Sequence, residues 1–108
     1  MTEVPEIDVA EFARRRDEGA FVLDVRREDE YVSGHVPGAV LIPLDQLGGR
    51  VGELPKDEPL LVICRSGARS ATAVEALRGA GYDATNVAGG TLEWIEAGFD
   101  TVEGPDAW

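Results

Sequence analysis

The chain has 108 residues, of which 44% are hydrophobic and 29% are charged. This composition is typical of one globular domain and excludes a disordered or fibrous protein. With 21 acidic against 10 basic residues, the formal net charge is −11, which argues against nucleic acid or an anionic membrane as a partner. We treat the chain as a single domain, residues 1–108, with a core at about 5–102 and a C-terminal tail at 103–108.

The N-terminal sequence and the cysteine count bear on location and on metal binding. Residues 1–12 do not place an apolar segment after a basic one, as a secretory signal does, and no apolar run is long enough to span a bilayer. A single cysteine cannot form an internal disulfide or a Cys-only metal site. We therefore expect a cytoplasmic protein without a metal or a cofactor. The sequence does not indicate an oligomeric state.

Short apolar runs alternate along the chain with segments of helical periodicity. Besides a possible edge strand at Thr2–Val4, the predicted strands are Phe21–Val25, Val40–Leu44, Leu60–Cys64 and Ala84–Ala88. The predicted helices are one capped by Asp8 and Glu11 and ended by Gly19, then Arg27–Ser33, Leu44–Leu54, residues 70–80 and Gly90–Ala97. This alternation predicts an α/β domain built on a parallel sheet.

The candidate site is the segment CRSGARS, Cys64–Ser70, which follows the most apolar run of the chain. In open parallel sheets the working crevice lies beyond the carboxyl ends of the strands. Cys64 and Arg26 each stand at such an end, so we expect them to face the same crevice. The N–H groups of residues 65–69, at the start of a helix, would form an anion-binding nest, and Gly67 would relieve its turn.

The basic residues beside Cys64 indicate a reactive thiol. Inward N–H groups, the helix dipole and the guanidinium groups of Arg65 and Arg69 would each favour a thiolate over a thiol. The alternative is a buried structural cysteine that closes an apolar strand, because free cysteine is among the most buried residue types. The strand end, the glycine turn and the two arginines occur together here, which favours the reactive thiol.

The spacing from the cysteine to the following arginine separates two kinds of anion chemistry. A phosphatase loop of the Cys-x5-Arg type requires arginine at position 70, where this chain has Ser70. Arg69 instead follows Cys64 after four residues. The tighter loop suits a terminal sulfur atom better than a tetrahedral phosphate or arsenate. The spacing favours sulfur chemistry and disfavours a phosphatase or an arsenate reductase.

Three segments of the chain resemble the rhodanese-homology domain in its single-domain form. They are Leu23–Leu44, Cys64–Ser70 and Val87–Phe99, and the resemblance extends over about Pro5–Val102. It implies a five-stranded parallel sheet flanked by helices on both faces. It also implies a six-residue active loop, made of Cys64, Arg65, Ser66, Gly67, Ala68 and Arg69.

By this resemblance, Cys64 is the nucleophile of a sulfurtransferase. It would take a sulfane sulfur from a small anionic donor such as thiosulfate, hold it as a persulfide, and pass it to a thiophilic acceptor. The acceptor would be cyanide, a thiol or a carrier protein. The N–H groups of loop residues 65–69 and the Arg65 side chain would stabilise the persulfide anion, while Arg69 and Arg26 would bind the oxyanion of the donor. The alternative is a relay or interaction module that receives persulfide from a partner protein.

Departures from the better-known members bear on the donor. Two-domain thiosulfate enzymes tend to carry lysine and threonine where this chain has Ser66 and Arg69. Mercaptopyruvate enzymes tend to have glycine at the position of Arg65. The resemblance therefore leaves thiosulfate as the preferred test donor.

Other residues near these motifs receive structural roles. Asp24 is expected to hold Arg26 or the active loop in position without contacting the substrate itself. His35 is expected to hydrogen-bond the turn before Val40. The remaining expectations are a solvated helix face around Glu30 and Tyr31, a close backbone approach at Gly89 and Gly90, and a loosely held tail at Asp100–Trp108, with Trp108 folded back as a plug.

Overall fold

A computed structural model describes residues 4–108 as a sheet of five parallel strands in the order β1-β5-β4-β2-β3. The strands are β1 (Glu6–Ile7), β2 (Phe21–Asp24), β3 (Val40–Leu41), β4 (Leu60–Ile63) and β5 (Ala84–Val87). The predicted α/β fold with a five-stranded parallel sheet is confirmed. Three of the predicted short runs form the central strands β2, β4 and β5, which are covered on both faces.

Four helices lie between successive strands, and a fifth follows β5. They are α1 (Val9–Asp17), α2 (Glu28–Ser33), α3 (Leu47–Arg50), α4 (Ala68–Gly79) and α5 (Gly90–Glu96). The expected helix over Leu44–Leu54 is divided, since 3-10 turns at Leu44–Gln46 and Val51–Glu53 flank the single turn of α3. Within the described residues, no helix has both the length and the apolar character that crossing a bilayer requires.

The two outer strands differ from the prediction. The edge strand is Glu6–Ile7, whereas Thr2 and Glu3, on which the Thr2–Val4 expectation rests, lie outside the described residues. Strand β3 ends at Leu41 instead of Leu44. The N–H group of Ile42 nevertheless donates to the Asp24 carbonyl oxygen at 3.0 Å, so the chain after β3 stays attached to β2 and borders the crevice.

Two apolar layers form the core, one on each face of the sheet. Val62 of β4 packs in the layer that contains α3 and α4, and Leu61 packs in the layer that contains α1 and α5. In the second layer, the Trp94 ring meets Phe12 edge to face, with 5.4 Å between the ring centroids. The alternation along β4 places helices on both faces, and their loops then meet at the carboxyl ends of the strands.

The C-terminal residues are held more firmly than the expected loose tail. Val102 and His35 exchange two backbone hydrogen bonds of 2.9 Å, and the Gly38 N–H group donates to the Ala107 carbonyl oxygen at 2.7 Å. The His35 ring is fully buried, stacks on Tyr31, and places one nitrogen 2.9 Å from the carbonyl oxygen of Asp106. His35 therefore ties the tail to the end of α2, which is a structural role in a different place from the turn before Val40.

Candidate active site

Cys64 lies at the floor of the loop that joins β4 to α4. Only 1% of its surface is exposed. The Gly67 N–H group donates to its sulfur at 3.1 Å, and the Ser70 hydroxyl oxygen lies 3.3 Å from the same atom. A reactant can meet this sulfur only by entering the loop. Burial alone would also suit a structural cysteine, but hydrogen bonds directed at the sulfur are what a thiolate site requires.

The first turn of α5 fixes the orientation of the loop backbone. The N–H group and the hydroxyl of Thr91 donate to the Cys64 carbonyl oxygen at 2.9 and 3.0 Å, and the Leu92 N–H group donates to the Arg65 carbonyl oxygen at 3.1 Å. A trans peptide points its C=O and N–H groups in opposite directions. Because these carbonyls point outward to α5, the N–H groups of the same peptides turn toward the interior of the loop.

Glycine is needed at two points of this arrangement, for different reasons. Gly67 has φ +109°, in the left-handed region that residues with a side chain avoid. The second point is Gly90, one of the two residues for which a close backbone approach was expected. A Cβ atom on Gly90 would lie 2.6 Å from the carbonyl oxygens of Cys64 and Arg65. The close backbone approach is therefore present at Gly90, where it lets α5 reach the loop, whereas a Cβ atom on Gly89 would meet the side chain of Glu93.

Burial and hydrogen bonding act in opposite directions on the thiol. Burial raises the pKa of Cys64, because the charged sulfur would lose water. The Ser70 hydroxyl and the N–H groups of Ser70, Gly67 and Ser66 together lower this pKa by more than burial raises it. The net pKa lies below that of an ordinary thiol, so the loop favours the nucleophilic form.

Arg26 is held by Asp24, as the sequence suggested for that carboxylate. Both residues are buried; Arg26 Nη2 lies 2.8 Å from Asp24 Oδ2, and Arg26 Nε lies 3.0 Å from Asp24 Oδ1. Arg26 Nη2 also donates to the carbonyl oxygen of Gly34 at 2.9 Å. The pair joins the end of β2 to the end of α2, which leaves the Arg26 guanidinium group less available to a substrate than the sequence suggested.

Arg69 has a carboxylate partner that the sequence analysis missed. Its Nη1 and Nη2 atoms lie 2.6 and 2.9 Å from the two carboxylate oxygens of Glu30. The hydrogen bonds from Arg69 lower the pKa of Glu30 to about 2. The expectation of a solvated helix face is thus wrong here, since the Glu30 side chain is only 15% exposed and Tyr31 is buried against His35.

The remaining loop residues form the rim of the site. Arg65, Ser66 and Ala68 are exposed, and Arg65 makes no ion pair with any other residue of the range 4–108. A cavity of about 510 Å³ adjoins the loop through Arg69. Its other lining residues follow β2 and β3: Val25, Arg26, Arg27, Pro43, Leu44 and Asp45. A crevice therefore lies beyond the carboxyl ends of the strands, and Arg26 lines it as expected, whereas Cys64 is not among its lining residues.

Two further polar residues stand behind the cysteine. Ser70 and Asn86 are both buried, and their side chains are hydrogen-bonded to each other. The sequence carried one signal for Asn86, since it interrupts an otherwise apolar strand, where a buried amide requires partners. Neither its contact with Ser70 nor that between Glu30 and Arg69 could be found from spacing, because each joins residues from separate elements.

Comparison with known proteins identifies the family of this chain. The family description "Rhodanese-like domain" matches residues 8–97. The chain belongs to the rhodanese-like domain family. This rhodanese-like domain is also similar in structure to a rhodanese-related protein from Thermoplasma volcanium, with a TM-score of 0.85 and 35% identity over 91% of this chain and 97% of that one.

Two curated relatives are informative about length. A protein named "Sulfurtransferase" from Allochromatium vinosum is 34% identical over 92% of this chain and 95% of its own length. The "Putative sulfur carrier protein YrkF" of Bacillus subtilis is 35% identical over 86% of this chain but only 52% of its own length. The rhodanese-like domain described here spans about half the length of several curated relatives that it matches.

Replacing Gly90 tests the contact between α5 and the loop. We expect Gly90→Ala to lower the free energy of unfolding by about 2 kcal/mol, because a methyl group would overlap two backbone carbonyls. Urea denaturation measures the change. Gly49→Ala is the matched control, since a Cβ atom there meets no atom of residues 4–108 within 4 Å. Equal stability of the two variants would contradict this account of the contact.

The hydrogen bonds to the sulfur can be tested by titration. Since the chain has one cysteine, the ultraviolet absorbance of thiolate reports Cys64 alone. We expect a midpoint below the value of about 8.5 for a free thiol, because the bonds from the loop outweigh burial. A midpoint above that value would mean that burial dominates and that Cys64 is a structural cysteine.

Proposed function

We propose that this rhodanese-like domain is a sulfurtransferase that works through a persulfide on Cys64. The Cys64 thiolate attacks the sulfane sulfur of thiosulfate or a related donor. A bond forms between Sγ and that sulfur, the sulfur–sulfur bond of the donor breaks, and sulfite leaves with the electron pair. Cyanide or another thiophile then attacks the terminal sulfur, the new bond breaks, and the thiolate is restored. No net proton transfer is needed.

The observation that carries this proposal is the set of hydrogen bonds directed at a single buried sulfur. The loop provides the N–H groups of Gly67 and Ser66, and α5 holds the loop carbonyls away from the sulfur. The same inward N–H groups would stabilise the terminal sulfur of a persulfide, which carries the negative charge after the first step. The sulfurtransferase of Allochromatium vinosum, similar over nearly its whole length, supports the assignment.

We further propose a division of roles among the residues around the loop. Ser66, Gly67 and Ala68 contribute backbone N–H groups to the persulfide. Arg65, exposed at the rim, meets the oxyanion of the donor first, and Arg69 binds it within the crevice. Arg26 lines the same cavity, and Asp24 keeps its guanidinium group in place.

The reaction itself is tested by replacing the nucleophile. We expect the wild-type protein to form thiocyanate from thiosulfate and cyanide, and Cys64→Ser to lose this activity while it remains folded by circular dichroism. Intact-mass spectra should show the gain of one sulfur atom on the wild-type protein only. Turnover by the serine variant at the wild-type rate would overturn the proposal.

The second candidate is a relay that receives persulfide from a partner protein. It is favoured by the similarity to the putative sulfur carrier protein of Bacillus subtilis. The same experiment separates the two functions. A protein that gains one sulfur atom from thiosulfate but forms no thiocyanate with cyanide would be a relay.

The pair between Glu30 and Arg69 should limit affinity for a dianionic donor. Glu30→Gln removes the charge that competes for Arg69, and we expect the KM for thiosulfate to fall about fivefold, as a competing pair worth ~1 kcal/mol would give. The kcat should change less. Steady-state kinetics at low ionic strength measure both constants.

Glu28→Gln is the matched control for this variant. It removes the same charge from the exposed side of the same helix, and Glu28 makes no ion pair within residues 4–108. An equal fall in KM for both variants would assign the effect to net charge. A rise in KM for Glu30→Gln would show that the carboxylate serves to position Arg69.

A further inference from the structure

The polar groups behind Cys64 form a continuous chain of hydrogen bonds. The Ser70 hydroxyl oxygen lies 2.5 Å from Asn86 Oδ1 and 3.3 Å from Cys64 Sγ. All three residues expose 1% of their surface or less. The chain therefore joins the reactive sulfur to strand β5 in a place that solvent does not reach.

Counting donors and acceptors shows that Ser70 cannot serve both neighbours. Asn86 Nδ2 lies 3.0 Å from a carboxylate oxygen of Glu6 and 3.2 Å from the carbonyl oxygen of Gly67. Both partners only accept, so the amide nitrogen must face them and Oδ1 must face Ser70. Amide oxygen also only accepts, and a hydroxyl has one proton. Ser70 can donate that proton to Asn86 or to the sulfur.

We propose that the Ser70 hydroxyl is a positioning group that changes its acceptor with the charge on Cys64. When the sulfur is neutral, the hydroxyl donates to Asn86 Oδ1, and the thiol proton is directed at the hydroxyl oxygen. When the sulfur is anionic, the hydroxyl turns and donates to Sγ. The heavy atoms stay in place, and only the hydroxyl torsion changes.

Asn86 therefore sets a limit on how strongly Ser70 stabilises the thiolate. Each time the hydroxyl turns to the sulfur, Asn86 Oδ1 loses a partner in a buried place, which opposes the ionisation. The hydrogen bonds still leave the pKa of Cys64 below its ordinary value despite its burial. A limit on this decrease is useful for attack on sulfur, because the intrinsic nucleophilicity of a thiolate falls as its pKa falls.

The same change of acceptor extends to the sulfur-transfer cycle, and this part rests on the proposed function. Once Cys64 holds a second sulfur atom, the negative charge lies on the terminal atom and Sγ is neutral. The hydroxyl then returns to Asn86, and the loop N–H groups remain for the terminal sulfur. Ser70 thus favours the free thiolate without holding charge on Sγ in the persulfide.

Other charged residues surround these hydrogen bonds, and the variants used in a test must leave them unchanged. They are the Asp24–Arg26 pair, the Glu30–Arg69 pair, Arg65 on the rim, Glu6 beyond Asn86, and Glu93 over Gly89. The titration is read at the sulfur through thiolate absorbance and at the Asn86 side chain, and the variants below leave these charged groups unchanged.

The experiment combines thiolate absorbance with nuclear magnetic resonance of the Asn86 side chain, without any sulfur donor. In the wild-type protein, the Asn86 side-chain carbonyl resonance should move with the same midpoint as the thiolate absorbance. Cys64→Ser should abolish this movement. Ser70→Ala should remove most of it and raise the thiol midpoint by about one unit, a tenfold lower ratio of thiolate to thiol at a given pH.

Two further variants make the test specific to the hydroxyl. Ser70→Thr restores a hydroxyl and should restore both signals. Thr72→Ala removes a hydroxyl from the exposed side of the same helix, where it donates to the Ala68 carbonyl oxygen at 3.4 Å. It should leave the thiol midpoint and the Asn86 movement at their wild-type values.

Either of two results would overturn the proposal. One is an Asn86 side-chain resonance that stays constant while the wild-type thiol ionises. This measurement uses the wild-type protein alone, so it does not depend on the folding of a variant. The other is a thiol midpoint in folded Ser70→Ala equal to that of the wild type. Both are read without sulfur transfer, so they are independent of whether the protein forms thiocyanate.

Discussion

The first turn of α5 orients the peptide groups of the Cys64 loop, and the chemistry of the site depends on this contact. By binding the carbonyl oxygens of Cys64 and Arg65, it turns the peptide N–H groups inward. The contact is possible because Gly90 lacks a side chain where the two carbonyls pass. A loop of the same sequence without α5 could turn its carbonyls toward the sulfur and disfavour the thiolate.

The ion pairs within the crevice, and not the net charge of the protein, decide how much positive charge is available to bind an anion. The chain carries a formal net charge of −11, yet arginines gather at the carboxyl ends of the strands. Two of them, Arg26 and Arg69, are paired with buried or half-buried carboxylates, and Arg65 stands at the rim. The pairs fix the position of guanidinium groups in an acidic protein, and they reduce the charge that remains for a donor.

Sequence periodicity located the central strands because burial on both faces leaves a continuous apolar run, as in Leu60–Ile63. It did not locate the end of β3 or the division of the expected helix into α3 and its two flanking 3-10 turns. It also assigned Glu30 to solvent, since a carboxylate on a short acidic helix has no local partner. Its partner, Arg69, lies on a different element and comes near only through the sheet.

The sequence by itself determined the alternation of strands and helices, the position of Cys64 at a strand end, and a loop too short for a phosphatase. These properties are local, because they follow from residue type and spacing. The tertiary structure alone decided which groups reach the sulfur and which arginines are already paired. Contacts such as Ser70 with Asn86 and α5 with the loop join distant segments, and neither spacing nor composition specifies them.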